Sequence, residues 1–142
     1  MNREIKFKAW HLDEEEFVDV KAVDFEKGVI FTYIDFWYSK DDCLIEGNGN
    51  TLAFEEIELL QFTGLKDMNG VDIYEGDFIK NLDGVIAIVR FENGVFGYDR
   101  KITADLRTNE YYVIHQPLVN YVRDGCEVAG NEYENENLLE EK

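Results

Sequence analysis

A chain of 142 residues that is 45% hydrophobic and 14% aromatic can bury a core as one domain, or as two small ones sharing it, which excludes a disordered composition. Its 31 acidic against 14 basic residues give a net charge of −17, which argues against direct binding to a phosphate backbone, since that requires a positive footprint. No run approaches the ~18 apolar residues of a membrane helix and no apolar leader opens the chain, while the two cysteines, Cys43 and Cys126, lie far apart, so free thiols, a reducing cytoplasmic location and no membrane contact are expected.

Arg3 to Trp10 alternates, with Ile5, Phe7 and Ala9 on one side and Lys6 and Lys8 on the other, which predicts a half-buried strand. Arg3, Lys6 and Lys8 are the clearest basic cluster of the first half, and the solvent face of a strand accounts for them. Asp13 to Glu16 reads as a solvated loop. Phe17 to Phe25 is the next strand, with Val18, Val20 and Ala22 sharing a face, and Gly28 supplies a tight turn. Val29 to Tyr38 is long and almost wholly apolar, with Phe31, Tyr33, Phe36, Trp37 and Tyr38, and suits a strand covered on both faces. Asp35 within it and Asp41-Asp42 after it argue against a base-stacking platform, which needs positive charge beside it. Gly47 to Asn50 is a loop without the Lys-Ser/Thr of a P-loop. Thr51 to Phe54 is extended, and Leu52, Glu55-Glu56 and Leu59-Leu60 also fit a helical turn or two.

The middle of the chain, Leu59 to Asp77, carries an apolar run and then two turn signals, Asn69-Gly70 and Glu75-Gly76-Asp77. Asp67, Asp72 and Asp77 are placed to bond nearby backbone as Asx-turns. Asp67-x-Asn69 resembles the start of a calcium loop, but the fifth position is Val71 and the required glycine position holds Asp72, so that chemistry fails.

Beyond it, strands are predicted at Asp77 to Asn81, Gly84 to Phe91, Val95 to Asp99 and Glu110 to His115, with Asp83-Gly84 and Asn93-Gly94 as hairpin turns. Val85 to Val89 is continuous and apolar, which predicts the central buried strand. Thr103 to Leu106 reads as a loop tip or short helix, flanked by Arg100, Lys101 and Arg107. Tyr121 to Asp124 reads as a short strand or turn, and Cys126 to Ala129 closes the sheet. Short strands with glycine turns fit a small barrel. Leu138 and Leu139 are placed to anchor a terminal turn.

Thr63-Gly64-Leu65-Lys66-Asp67-x-Asn69-Gly70-x-x-Ile73-Tyr74-Glu75-Gly76-Asp77 resembles the signature of the YopX family of phage and prophage proteins. Asn2 to Trp10 is similar to that family's opening, and Val128-Ala129-Gly130-Asn131-x-Tyr133-Glu134-Asn135-x-x-Leu138-Leu139 to its ending. The resemblance implies a phage or prophage origin and a β-rich fold with an SH3-like barrel in the second half. It supplies no catalytic residues. The expected organisation is mainly β: an N-terminal β-rich region over 1–66, an SH3-like barrel region over 67–130 and an acidic tail over 131–142.

No constellation nominates a reaction. His11 and His115 are the only histidines. A Cys126–His115 nucleophile pair is conceivable, but it lacks an orienting group and an oxyanion hole. The cysteines lack zinc-ligand spacing. Asp41-Asp42, Glu55-Glu56 and Asp13 to Glu16 nominate no particular acid pair, and Ser39 sits in no nucleophile elbow. The sequence therefore predicts no catalytic, cofactor or metal residues. It predicts a non-enzymatic protein that self-associates through aromatic β surfaces and binds a host or phage protein. The alternative is a nucleic-acid-linked role, either by acidic DNA mimicry or by direct binding through Arg100, Lys101 and Arg107 converging with Lys80 and Arg90.

Overall fold

Alternating sequence becomes strand through most of the computed structural model, which describes residues 4–33, 36–38, 44–46 and 50–135. Contacts divide the chain into two units, Lys6–Leu60 and Gln61–Lys142 with Met1–Ile5.

In the first unit, β1 (Phe7–His11) and β2 (Glu16–Asp19) form an antiparallel hairpin. Trp10 lies opposite Phe17, with ring centroids 4.8 Å apart. The strand expected over Phe17 to Phe25 is broken into β2 and β3 (Ala22–Asp24). At the break, the Lys21 N–H turns to the Phe31 carbonyl at 2.7 Å. β4 (Val29–Tyr33) runs between β3 and β7 (Asn50–Ala53). β5 (Phe36–Tyr38) pairs with β6 (Leu44–Glu46). The long aromatic run is thus two strands, and Ile34 and Asp35 between them lie outside the described residues, as do Asp41 to Cys43 and Gly47 to Gly49. A three-residue 3-10 turn, Phe54–Glu56, interrupts extended backbone after β7, with Leu52 and Leu59-Leu60 in strands rather than in a helix. Ala9, Ile30 and Ile57 form the buried centre, with Val18, Val20, Val23, Leu52, Phe54 and Leu59 packed against it.

β8 (Ile57–Lys66) carries the chain into the second unit. There β9 (Asp72–Tyr74) pairs with the end of β8, and β10 (Asp77–Asn81) follows the Glu75-Gly76 turn. β11 (Ile86–Ile88) and β12 (Arg90–Glu92) come next, then β13 (Val95–Asp105), β14 (Glu110–Pro117), the helix α1 (Leu118–Asp124) and β15 (Cys126–Asn131). They make two three-stranded sheets, ordered β11-β10-β15 and β12-β13-β14. Ile73, Ile79, Val89, Tyr98, Leu118, Tyr121 and Cys126 form the core of this unit.

The structure corrects three expectations here. Gly84 to Phe91 is not one central strand. It breaks at Val89, whose N–H donates to the Asp77 carbonyl at 2.9 Å and whose carbonyl accepts from Gly76 at 2.8 Å. The centre of the sheet is β10, with Phe78 and Ile79 fully buried, while Val85 is 57% exposed. An apolar run does not by itself say which strand is central. Tyr121 to Asp124 is helical, because Pro117 starts a turn that brings Leu118 and Tyr121, three apart, onto one buried face. Thr103 to Asp105 continues β13, and the turn comes later, over 106–109. At the chain's end, Asn131 to Asn135 folds into a turn closed by the Asn135 N–H on the Asn131 carbonyl at 3.0 Å. Leu138 and Leu139 lie outside the described residues.

Candidate functional site

Two places in the second unit concentrate the chemistry, and they differ in kind. The first is the signature turn. Asp67 is 7% exposed, and its carboxylate is filled by backbone donors. Oδ1 accepts from Asn69 at 2.8 Å and Val71 at 2.9 Å, and Oδ2 accepts from Val128 at 2.9 Å, 61 residues along the chain. Burial alone would push this carboxyl up, but the three N–H groups outweigh it and hold it below its usual range. The Met68 N–H donates to the Cys126 carbonyl at 3.0 Å. Thr63 Oγ1 donates to the Ile73 carbonyl at 2.8 Å, and Lys66 pairs with Asp72 at 3.3 Å.

The same pattern continues at Asp77, which is 3% exposed and accepts the Tyr74 N–H on Oδ2 at 2.8 Å. Asp77 lies in register with Asn131, which accepts from Tyr133 and Glu134 on Oδ1 at 3.0 and 2.8 Å. The Glu132 N–H reaches the Gly76 carbonyl at 2.9 Å. The signature and the segment after Val128 are therefore held together by these bonds. Both Asp67 oxygens and Asp77 Oδ2 accept from backbone, which gives these two carboxylates a structural task.

The second place is the β13–β14 ribbon. Asn93 and Gly94 both take positive φ, 53° and 78°, as the tight turn from β12 into β13 requires. That turn sets Glu92 opposite Val95, and the ribbon's own register sets Asp99 opposite His115. His115 Nδ1 lies 3.1 Å from Asp99 Oδ1 and 3.6 Å from Glu92 Oε2. Nε2 lies 3.0 Å from the Val95 carbonyl, which can only accept, so Nε2 carries a proton. The ring lies over Gly97, where a Cβ would meet Nε2 at 2.8 Å and the Gln116 carbonyl at 2.1 Å. Burial would lower the pKa of His115, but the Val95 carbonyl and the two carboxylates overcome it and raise it.

Outward from this root, the ribbon runs into water. Tyr111, Tyr112 and Val113 are each more than half exposed, and Leu106 at the turn is 86% exposed. β14 is also the outer strand of its sheet.

The sequence candidates are scattered over the two units. His115 bonds Asp99 and Val95, while Cys126 is buried in the core with Asp67 as its charged neighbour, and burial then Asp67 push its thiol up. A raised thiol pKa works against a nucleophile. His11 accepts the Glu14 N–H on Nδ1 at 3.1 Å, closing the turn at Asp13 to Glu16. Glu56 accepts the Ala53 N–H at 2.9 Å. Lys8 sits 4.6 Å over the Phe17 ring. Arg90 lies opposite Gly97 and pairs with Glu132 at 3.1 Å, whereas Arg100 lies beside Tyr98 on the other face of the same sheet. The basic residues of the direct-binding alternative are thereby divided between faces. Cys43, Ser39 and Asp41-Asp42 lie outside the described residues. No helix among the described residues is long and apolar enough to cross a membrane.

The sequence matches the profile of the YopX protein family over residues 6–140. The structure is similar to the crystal structure of protein EF1440 from Enterococcus faecalis, with a TM-score of 0.59 at 24% identity, covering 97% of this chain and 99% of that one. That likeness concerns the fold alone. No curated protein matches the sequence.

Proposed function

The chain belongs to the YopX family, and from that premise we propose that it is a phage- or prophage-encoded, non-enzymatic protein of the host cytoplasm that self-associates and binds a protein partner. The observation that carries this reading is the β13–β14 ribbon. It presents Leu106, Tyr111, Tyr112 and Val113 to solvent, and β14 offers an outer edge eight residues long. An edge of that length is a template for another strand, and natural proteins usually blunt such edges unless they are used. Tyrosines are enriched at interfaces because one ring combines apolar area with a hydrogen bond.

The first occupant of the edge is a second copy of the chain, through antiparallel pairing of two β14 strands about a two-fold axis. Arg100, Arg107, Asp105 and Glu110 mix both signs along the ribbon, so the local charge does not oppose such pairing. The overall charge of −17 does oppose it, and added salt should therefore favour association. Ile30, near the start of the aromatic run Val29 to Tyr38, is buried in the core of the first unit.

Light scattering on the purified protein across micromolar concentrations tests the reading. A dimer is expected, with Val113→Lys at the edge weakening it by about tenfold or more. A strict monomer at every concentration and salt level would remove the self-association claim. DNA mimicry has only the net charge behind it and is the lesser reading.

A further inference from the structure

Glu92, Asp99 and His115 come from three neighbouring strands, β12, β13 and β14, and converge on one face at the root of the ribbon. Their three donor atoms lie within 4.8 Å of one another. From this geometry we infer a site for a divalent cation of the zinc class, ligated by His115 Nδ1, Asp99 Oδ1 and Glu92 Oε2, that clamps the ribbon to the preceding hairpin.

Both separations from His115 fit, and the two carboxylate oxygens, within 4.8 Å of each other, must draw together on binding. A tetrahedral ion with bonds near 2.0 Å holds its ligand atoms roughly 3.3 Å apart. The Nδ1 to Oδ1 distance is 3.1 Å and the Nδ1 to Oε2 distance is 3.6 Å, one on either side of that value. Glu92 needs only a small side-chain adjustment, and its carboxylate, 45% exposed, is free to make it.

A second observation lies outside the acidic pair. The His115 side chain is only 10% exposed, and its Nε2–H is tied to the Val95 carbonyl. That is how a metal-binding histidine is oriented: the far nitrogen donates to a backbone carbonyl, which fixes the tautomer and aims the other nitrogen's lone pair. Gly97 leaves the room in which the ring lies. With Nε2 protonated, Nδ1 faces two carboxylate oxygens, and the place between them is filled either by the Nδ1 proton or by a cation that displaces it. One imidazole with two carboxylates is a nitrogen and oxygen set suited to zinc and its first-row neighbours. Three protein ligands leave a coordination position for water. The clamp does not depend on the ribbon's partner.

Zinc titrated calorimetrically into chelator-treated full-length protein tests the site, with the His115 ring followed by NMR. One ion per chain is expected at micromolar affinity, with a large shift of the His115 ring signals. Glu92→Gln and Asp99→Asn change exposed side chains, so both should keep the wild-type circular dichroism spectrum while weakening zinc by at least about tenfold. The inference is overturned by zinc binding that neither variant weakens, by a His115 signal that does not respond, or by the absence of binding up to millimolar zinc.

Discussion

The signature turn and the β13–β14 ribbon invert each other. At the turn, Asp67, Asp77 and Asn131 are buried and their oxygens are met by backbone donors. Along the ribbon, Leu106, Tyr111, Tyr112 and Val113 stand in water. Burying a carboxylate is unfavourable unless it is bonded, and exposing large apolar groups forgoes the main gain of folding. The first arrangement specifies a fold, whereas the second is retained where something binds. The most recognisable residues of the family therefore mark structure, and the least distinctive stretch of sequence carries the surface on which the proposed function rests.

The largest effect should come from breaking the turn. Asp67→Asn places an amide donor against one of the three N–H groups that the carboxylate now accepts, and should lower stability by about 2–4 kcal/mol in chemical denaturation. Acid should do the same to the wild type. The folded pKa of Asp67 is depressed, so its contribution is fully present above the unfolded value of about 3.9 and is lost as pH falls through the folded value. At neutral pH the contribution is intact. The wild type should lose stability on acidification more steeply than Asp67→Asn, and parallel pH profiles for the two would show that the carboxylate is not the keystone of the turn.

Next in size is the root of the ribbon, where the two regimes meet. Gly97→Ala puts a methyl 2.1 Å from the Gln116 carbonyl, an approach that backbone must move to relieve. A loss of about 1–3 kcal/mol is expected, with the His115 ring displaced from Val95 and Asp99. The ring's chemical shift reports the displacement directly. An unchanged ring environment in this variant would mean that the close approach of β13 and β14 does not position His115.

Legibility in the sequence followed the same divide. The turns at Asn69-Gly70, Asp83-Gly84 and Asn93-Gly94 were readable because glycine and asparagine report local backbone geometry. The Asx role of Asp67 was readable for the same reason, but its third bond, to Val128, joins residues 61 positions apart and no local rule supplies it. Val85 to Val89 misled because a continuous apolar run carries no period to distinguish an edge from a centre. The cluster at His115 was hidden by reading Thr103 to Leu106 as a loop tip. Ending β13 early removes the register that sets Asp99 opposite His115, and leaves Cys126 as the partner weighed for His115. Even with the turn placed over 106–109, counting back from Asp105 opposite Glu110 sets Asp99 opposite Gln116, and it is the bulge between Thr103 and Asp105 that shifts the register by one and brings Asp99 opposite His115.

The smallest effect on stability, and the sharpest test of the comparison, lies at the far end of the ribbon. Leu106 is 86% exposed and Tyr112 is 53% exposed, so Leu106→Ser and Tyr112→Ser remove little that is buried in the single chain. Each should shift the unfolding free energy by no more than about 0.5 kcal/mol, measured on dilute monomer. The same substitutions should weaken association by about tenfold when read by light scattering. The two readouts must separate. If both variants lose stability as monomers, these side chains are packing in the folded chain, and the ribbon is as structural as the turn. If neither stability nor association changes, the exposed apolar groups are incidental, and the outer edge of β14 alone must hold any second copy.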